Sequence, residues 1–163
     1  MRFEHLIEIN SPQADLQGVV QPFTRAQLWL GLMARVQTPR CFPNGPESCD
    51  WHETEPGLVK RTLRFGPHEL HDTVRLTPPD GLKFTPEAHG DTAPIQLTIT
   101  VEEPQAGQMV LRFVYVALRD QSAEEAYYSD YRHSAWLHND RDMVRTLREW
   151  LEQGGLGPAG ISH

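Results

Sequence analysis

Six consecutive segments in the middle of the chain alternate apolar and polar residues with a period of two, as β-strands with one buried face do. They span residues 47–54, 58–65, 68–77, 81–88, 94–103 and 107–118. Short runs of turn-forming residues, such as Gly66-Pro67, separate them. These breaks are too short for the crossovers that connect parallel strands. The pattern therefore predicts an antiparallel meander of six strands.

One further strand and a helix precede the meander. Residues 3–9 alternate in the same way and predict a strand. Thr24 and Gln27 have the spacing of a capping box, which predicts that a helix begins there. Pro39 ends this helix, and residues 39–42 are compatible with one more short helical turn.

A long helix is predicted after the meander. Residues 122–153 contain neither Pro nor Gly, and Ser122 with Glu125 repeats the capping-box spacing. Asn139 offers a second helix start, so the pattern leaves open a bend or break near residue 139. We expect one domain over residues 1–153 and a flexible tail over residues 154–163.

The order of these elements predicts an α+β fold. A seven-stranded antiparallel sheet has one apolar face to cover, and the long C-terminal helix lying across that face covers it. The first strand is expected to pair beside the last strand, with one or two short helices between the first strand and the meander.

Composition excludes several classes of protein. The chain has 163 residues and a formal net charge of −7, which argues against a nucleic-acid partner. It has no apolar run near the ~20 residues of a membrane-spanning helix, and its first residues lack the apolar core of a signal peptide. We therefore expect no membrane association and a cytoplasmic location. Cys41 and Cys49 are expected to be reduced thiols.

Two hairpin turns predict which residues face the helix. A two-residue turn at Gly66-Pro67 pairs, on the apolar face, Val59 with Val74, Arg61 with Asp72 and Leu63 with Leu70. A three-residue turn over residues 104–106, followed by Gly107 in the left-handed conformation, pairs Val101 with Met109, Ile99 with Leu111, Leu97 with Phe113 and Ile95 with Tyr115.

Four short stretches carry a resemblance to a known family. Residues 3–10 (FEHLIEIN), 28–32 (LWLGL), 64–66 (RFG) and 110–115 (VLRFVY) resemble the AtaL-like family of the SRPBCC superfamily, over about residues 1–152. The resemblance implies the helix-grip fold of START-like and birch-pollen-allergen-like proteins. In that fold a curved sheet wraps around the C-terminal helix and encloses a cavity for an apolar, lipid- or polyketide-like ligand.

Given this resemblance, the inward residues are candidates for the wall of a cavity. They are Trp51, Val59, Leu63, Leu70, Val74, Leu82, Phe84, Leu97, Ile99, Leu111, Phe113 and Tyr115. Periodicity alone does not distinguish a hollow interior from a filled one. Arg61 and Asp72 are either a polar anchor for a ligand carbonyl or carboxylate, or a structural ion pair.

Aromatic residues at the start of the last helix give a further candidate. Tyr127, Tyr128, Tyr131 and His133 either reach the mouth of the cavity or are surface aromatics with solvated hydroxyls. We include Tyr131 among the candidate ligand-binding residues.

The sequence gives no metal, cofactor or nucleophile motif. His68 and His71 are three residues apart on a predicted strand, which places them on opposite faces. We therefore expect neither a metal nor a cofactor, and no catalytic residue is assigned.

Three functional hypotheses remain open. The first is a binding protein for a small apolar ligand, and the second is a cyclase, dehydratase or hydrolase on the same scaffold. The third is a protein-interaction module that uses the outward Val110, Val114 and Val116, for which a homodimer is one arrangement.

Overall fold

A computed structural model describes residues 1–13 and 21–156. Most of the predicted tail, from residue 157 onward, and residues 14–20 of the loop after the first strand lie outside the described residues. The strands are β1 (Arg2–Asn10), β2 (Ser48–Glu55), β3 (Leu58–Phe65), β4 (His68–Thr77), β5 (Gly81–Pro86), β6 (Ile95–Glu102) and β7 (Met109–Ala117). The helices are α1 (Arg25–Gln37), α2 (Ala123–Tyr127) and α3 (Ser129–Glu152), with a 3-10 turn at Pro39–Cys41.

The seven strands form one antiparallel sheet in the order β1-β7-β6-β5-β4-β3-β2. β1 pairs with β7, so the predicted position of the first strand beside the last is confirmed. The predicted α+β fold class is also confirmed: a curved seven-stranded sheet packs its inner face against α3, with short helical elements after β1.

The β3–β4 register is the predicted one, with Arg61 opposite Asp72 and Leu63 opposite Leu70. The predicted β6–β7 register is wrong by two residues, because Ile99 pairs with Phe113 and Leu97 pairs with Tyr115. The backbone N–H of Gln108 donates to the carbonyl of Gln105, so the turn is centred nearer β7 than expected. The remaining pairs of this hairpin are Val101 with Leu111 and Ile95 with Ala117. A shift of two residues keeps every side chain on its predicted face.

Both predicted capping boxes form, at Thr24 with Gln27 and at Ser122 with Glu125. The break in the C-terminal helical region lies at Tyr128, between α2 and α3, and α3 is continuous through residue 139. Asn139 therefore does not start a new helix. Continuity keeps Asp140 on the face of α3 that contacts the sheet, where its carboxylate has three side-chain partners.

The core lies between the inner face of the sheet and the pair α1 and α3. The two helices approach closely at Gly31, where a Cβ atom would lie 2.7 Å from Cδ2 of Leu147. Leu28, Leu32 and Leu147 are fully buried at this crossing. The interior at this crossing is therefore filled by side chains, as in any close-packed core.

Replacing Leu147 with Ala is expected to lower the free energy of unfolding by about 2–5 kcal/mol, because the change leaves a cavity at the crossing of α1 and α3. Leu118→Ala is the matched control, since Leu118 is 44% exposed and its loss is expected to cost less than about 0.5 kcal/mol. Urea unfolding followed by circular dichroism measures both values. Equal losses in the two variants would contradict the assignment of the core.

Candidate functional site

A cavity of about 240 Å³ lies between the sheet and α3. Its floor is formed by strands β3, β5 and β6, its side by α1 and α3, and its cap by the loop that follows α1. The described residues that line it are Arg35, Pro39, Phe42, Pro43, Asn44, Gly45, Pro46, Arg61, Leu63, Phe65, Phe84, Leu97, Asn139 and Met143.

The loop that caps the cavity requires two of its own backbone segments to approach each other closely. A Cβ atom at Gly45 would lie 2.1 Å from the carbonyl oxygen of Pro39, so only glycine lets this loop fold back onto the end of α1. Asn44 adopts φ of 62°, in the left-handed region that Asn tolerates better than most residues. Phe42 packs against Trp150 of α3 with 5.0 Å between the ring centroids, which fixes the cap to the C-terminal helix.

The structure brings four of the sequence-derived candidates to this cavity, namely Arg61, Leu63, Phe84 and Leu97. A second group is packed into the filled part of the core: Val59, Val74, Leu82, Ile99, Leu111 and Phe113. Tyr115 is buried, and its hydroxyl donates to Asp140.

The other candidates lie away from this cavity. Trp51 and Leu70 are each 41% exposed, and Tyr131 is 77% exposed. Leu70 and Asp72 line a neighbouring cavity instead. His133 stacks on Phe3 of β1, with 4.3 Å between the ring centroids.

Arg61 and Asp72 form a buried bidentate ion pair. Nε and Nη2 of Arg61 donate to Oδ1 and Oδ2 of Asp72 at 2.8 and 2.6 Å. Nη1 of Arg61 donates to the backbone carbonyls of Arg35 and Val36, at 3.1 and 3.0 Å. These carbonyls belong to the last turn of α1 and have no partner within the helix. The pair therefore fastens the end of α1 to the sheet.

A second buried carboxylate, Asp140 of α3, connects the helix to β1, β7 and α1. It is fully buried and accepts hydrogen bonds from the Tyr115 hydroxyl at 2.6 Å and from Arg35 Nη1 at 3.4 Å. Its Oδ2 atom also lies 2.8 Å from Nε2 of His5. Burial and the negative charge of Asp140 raise the pKa of Tyr115 well above its usual value.

Arg35 differs from Arg61 in how firmly it is held. Its hydrogen bond to the Asp140 carboxylate is long, at 3.4 Å, and its Nη1 atom also donates to Sδ of Met143 at 2.8 Å. Both guanidiniums lie near the Phe84 ring of the cavity wall, Arg35 at 5.8 Å and Arg61 at 5.2 Å from its centre. Arg61, in contrast, has short bonds to a carboxylate and two carbonyls. Arg35 is therefore the cation of the cavity that is better placed to meet a bound molecule.

The sequence analysis did not identify His5, Arg35 or Asp140 as site residues. His5 lies among the inward residues of β1, and Asp140 lies between Trp136 and Met143 on the apolar stripe of α3. A titratable residue within an apolar face is unusual, so this pattern could have identified His5 and Asp140 from the sequence. Their partners come from distant elements and no local spacing indicates them.

The polar side chains of the described cavity wall are two arginines and two asparagines. None of its described residues carries a carboxylate, imidazole, phenol or thiol group. Cys49 lies nearby, and burial raises the pKa of its thiol, which lowers its reactivity. No cluster of three or more metal-binding side chains occurs among the described residues. None of the described helices is long and apolar enough to cross a membrane.

The outward valines of β7 do not form an open apolar surface. Val110 is only 6% exposed, and Val114 and Val116 are partly buried within the paired sheet. Beside them Arg112 contacts Glu4 and Glu102, so this face of the sheet is also charged.

Comparison with known proteins gives one matching family and several solved structures with a similar fold. The model of the family described as acetylaranotin biosynthesis cluster protein L (AtaL) matches residues 7–154. No curated protein has a significantly similar sequence. Similar solved structures include the di-domain ARO/CYC StfQ from the steffimycin biosynthetic pathway (TM-score 0.65, 11% identity, 93% of this chain and 50% of StfQ). The chain thus spans half the length of StfQ.

Two other solved structures match over nearly their whole length. They are the Zhui aromatase/cyclase from Streptomyces sp. R1128 (TM-score 0.60, 12% identity, 99% of both chains) and the Aha1 dimer from Colwellia psychrerythraea (TM-score 0.55, 12% identity, 91% of this chain and 96% of that one). At these identities the likeness concerns the fold alone.

Asp72→Asn is expected to lower the free energy of unfolding by about 3–5 kcal/mol, because it leaves the Arg61 charge buried without its partner. The double variant Arg61→Met/Asp72→Leu is expected to lose less than the single variant. Asp80→Asn, which removes an exposed partner of Arg25, is the control and is expected to cost at most about 1 kcal/mol. Urea unfolding measures all three, and a double variant less stable than Asp72→Asn would contradict this account.

Tyr115 is expected to lower the free energy of unfolding at alkaline pH. Since its pKa is raised in the folded state, its contribution to stability is complete below about pH 10 and decreases as the pH rises above it, by roughly 1.4 kcal/mol per pH unit. Tyr115→Phe should therefore lose stability less steeply above that pH than the wild-type chain. Tyr127→Phe, at an exposed position, should keep the wild-type slope. Identical slopes for wild type and Tyr115→Phe in urea unfolding would refute the prediction.

Proposed function

The chain belongs to the AtaL family, and from this membership together with the geometry of the cavity we propose that it binds a small, largely apolar molecule between the sheet and α3. The observation that carries the proposal is an apolar cavity with Arg35 in its wall, an arginine whose hydrogen bond to a carboxylate is longer than those of Arg61. Phe42, Phe84, Leu97 and Met143 supply apolar surface, and Arg35 supplies the charge.

The volume supports a ligand of modest size. An apolar cavity of about 150 Å³ is known to accept benzene. A cavity of about 240 Å³ therefore suits a molecule with one or two rings, or an alkyl chain of similar bulk. Ligand pockets for larger molecules begin at about 300 Å³.

The position of Arg35 in the wall implies that the ligand has one polar end. Because Arg61 is committed to Asp72 and the end of α1, the ligand oxygen belongs at Arg35. A carbonyl, phenolate or carboxylate oxygen accepts hydrogen bonds from a guanidinium, and a charged acceptor gives the stronger bond. The proposed ligand is thus an apolar molecule with an acceptor oxygen at one end.

Enzymatic activity on this scaffold is the second candidate, since two of the similar structures are described as ARO/CYC or aromatase/cyclase proteins. The described wall residues offer it little support, because they include no side chain that transfers protons near neutral pH. A binding role requires only the apolar side chains and the arginine that this wall contains.

The probe 1-anilinonaphthalene-8-sulfonate (ANS) combines a two-ring naphthalene, a third ring and an anionic group, and it tests this proposal. The naphthalene matches the size of the cavity, and because the cavity opens to solvent, the third ring is expected to remain at its mouth. We expect the wild-type chain to bind ANS with enhanced fluorescence. Leu97→Trp fills the cavity and is expected to abolish binding, whereas Arg35→Met is expected to weaken it roughly tenfold through loss of a charge-assisted hydrogen bond.

Two matched controls accompany these variants. Leu6→Trp adds the same side chain on the outer face of β1, and Arg145→Met removes an exposed arginine of α3. Both should bind ANS like wild type, and circular dichroism verifies that each variant is folded. Absence of ANS binding to the folded wild type, or full binding by folded Leu97→Trp, would overturn the proposal.

A further inference from the structure

The buried carboxylate of Asp140 connects the cavity to a histidine outside its wall. Arg35, which lines the cavity, donates through Nη1 to Oδ1 of Asp140 at 3.4 Å. On the other oxygen, Oδ2, the Tyr115 hydroxyl donates at 2.6 Å and Nε2 of His5 lies at 2.8 Å. His5 and Arg35 therefore share one acceptor, and a change of charge at His5 alters how strongly Asp140 holds Arg35.

The surroundings of the His5 ring leave one of its nitrogens for a proton. The side chain is 10% exposed, and the ring stacks on Phe113 with 4.9 Å between the centroids, which keeps Nε2 directed at Asp140. Because an ionised carboxylate only accepts hydrogen bonds, Nε2 carries a hydrogen. Nδ1 is buried and has no hydrogen-bond partner among the described residues. A proton can therefore add at Nδ1 while Nε2 continues to donate to Asp140.

The charges of this cluster balance before a ligand binds, because Asp140 and Arg35 carry opposite charges and a neutral His5 adds none. An anion bound at Arg35 adds a negative charge in a poorly solvated place, where an unbalanced charge is costly. Arg35 stays charged, and burial holds the pKa of the Tyr115 hydroxyl high. Histidine is the side chain that commonly changes charge between about pH 5 and 8. A proton on His5 thus restores the balance that the anion disturbs.

We propose that the cavity binds an anionic ligand together with one proton, which His5 takes up. The imidazolium shares the Asp140 carboxylate more strongly than the neutral ring does, so Arg35 is freer to donate to the ligand. Affinity for the anion should then rise as the pH falls through the range in which histidine titrates. This inference rests on the proposed binding function and adds its regulation by pH.

A second histidine, His133 of α3, also lies near His5. It stacks on Phe3 with 4.3 Å between the ring centroids, and the centroid of Phe3 lies 5.6 Å from that of the His5 ring. His133 thus faces His5 across an apolar ring, whereas His5 itself contacts the carboxylate that holds Arg35. We expect protonation of His133 to affect the cavity less than protonation of His5.

The affinity for ANS between about pH 5.5 and 8 tests the inference, because the sulfonate of ANS stays ionised over this range. We expect the wild-type chain to bind roughly tenfold more tightly at the lower pH than at the higher one. His5→Gln keeps an N–H donor for Asp140 but takes up no proton, so its affinity should change less than about twofold. Both His133→Gln and His138→Gln, which replaces an exposed histidine of α3, are matched controls and should keep the wild-type dependence.

An NMR titration of the wild-type chain gives an answer that does not depend on the folding of a variant. The ¹⁵N shifts of the His5 imidazole report its protonated fraction at each pH. Because coupling between two binding events is reciprocal, this fraction should be higher with ANS than without it at the same pH. Calorimetry in two buffers of different ionisation enthalpy should likewise show net proton uptake on binding.

The outcomes separate the two proposals. An affinity for ANS that does not depend on pH, a full dependence retained by folded His5→Gln, or a protonated fraction of His5 that ANS leaves unchanged would overturn proton-coupled binding while the proposed function stands. Failure of the wild-type chain to bind ANS at any pH in the range would overturn the proposed function, and the inference with it.

Discussion

The buried ion pair between Arg61 and Asp72 is the constraint on which the architecture around the cavity depends. A guanidinium in a low-dielectric interior is tolerated only when its charge and its donors have partners. Asp72 supplies the partner charge from the next strand, and the last turn of α1 supplies two carbonyls. The pair thereby fastens the end of α1 to the sheet, and the loop after that end closes the cavity.

The second carboxylate, Asp140, does for α3 what Asp72 does for α1. It joins the C-terminal helix to β1, β7 and Arg35, so both helices are held to the sheet by polar contacts as well as by apolar packing. Close packing is complete where α1 and α3 cross and incomplete where the cap, β3 and β5 meet. Both helices are thus held by directional hydrogen bonds beside a cavity that side chains leave unfilled.

The sequence predicted the parts of this arrangement that local rules determine. The period of two located every strand, the Gly66-Pro67 turn set the β3–β4 register, and the inward pair Arg61 and Asp72 followed from it. The β6–β7 register was missed because several turns are compatible with residues 103–108. His5, Arg35 and Asp140 meet only in three dimensions, and the cap over residues 42–46 has no periodicity. Which part of an apolar interior stays hollow depends on such tertiary contacts, so it was beyond prediction.

The central claim is that a small molecule occupies the space between the sheet and α3, and methyl NMR of the selectively labelled chain tests it most directly. Titration with ANS should shift the methyl signals of Leu63, Leu97 and Met143 through ring-current effects and leave those of Leu6 and Leu118 unchanged. Shifts confined to the exposed leucines, with the three cavity residues unaffected, would contradict the account.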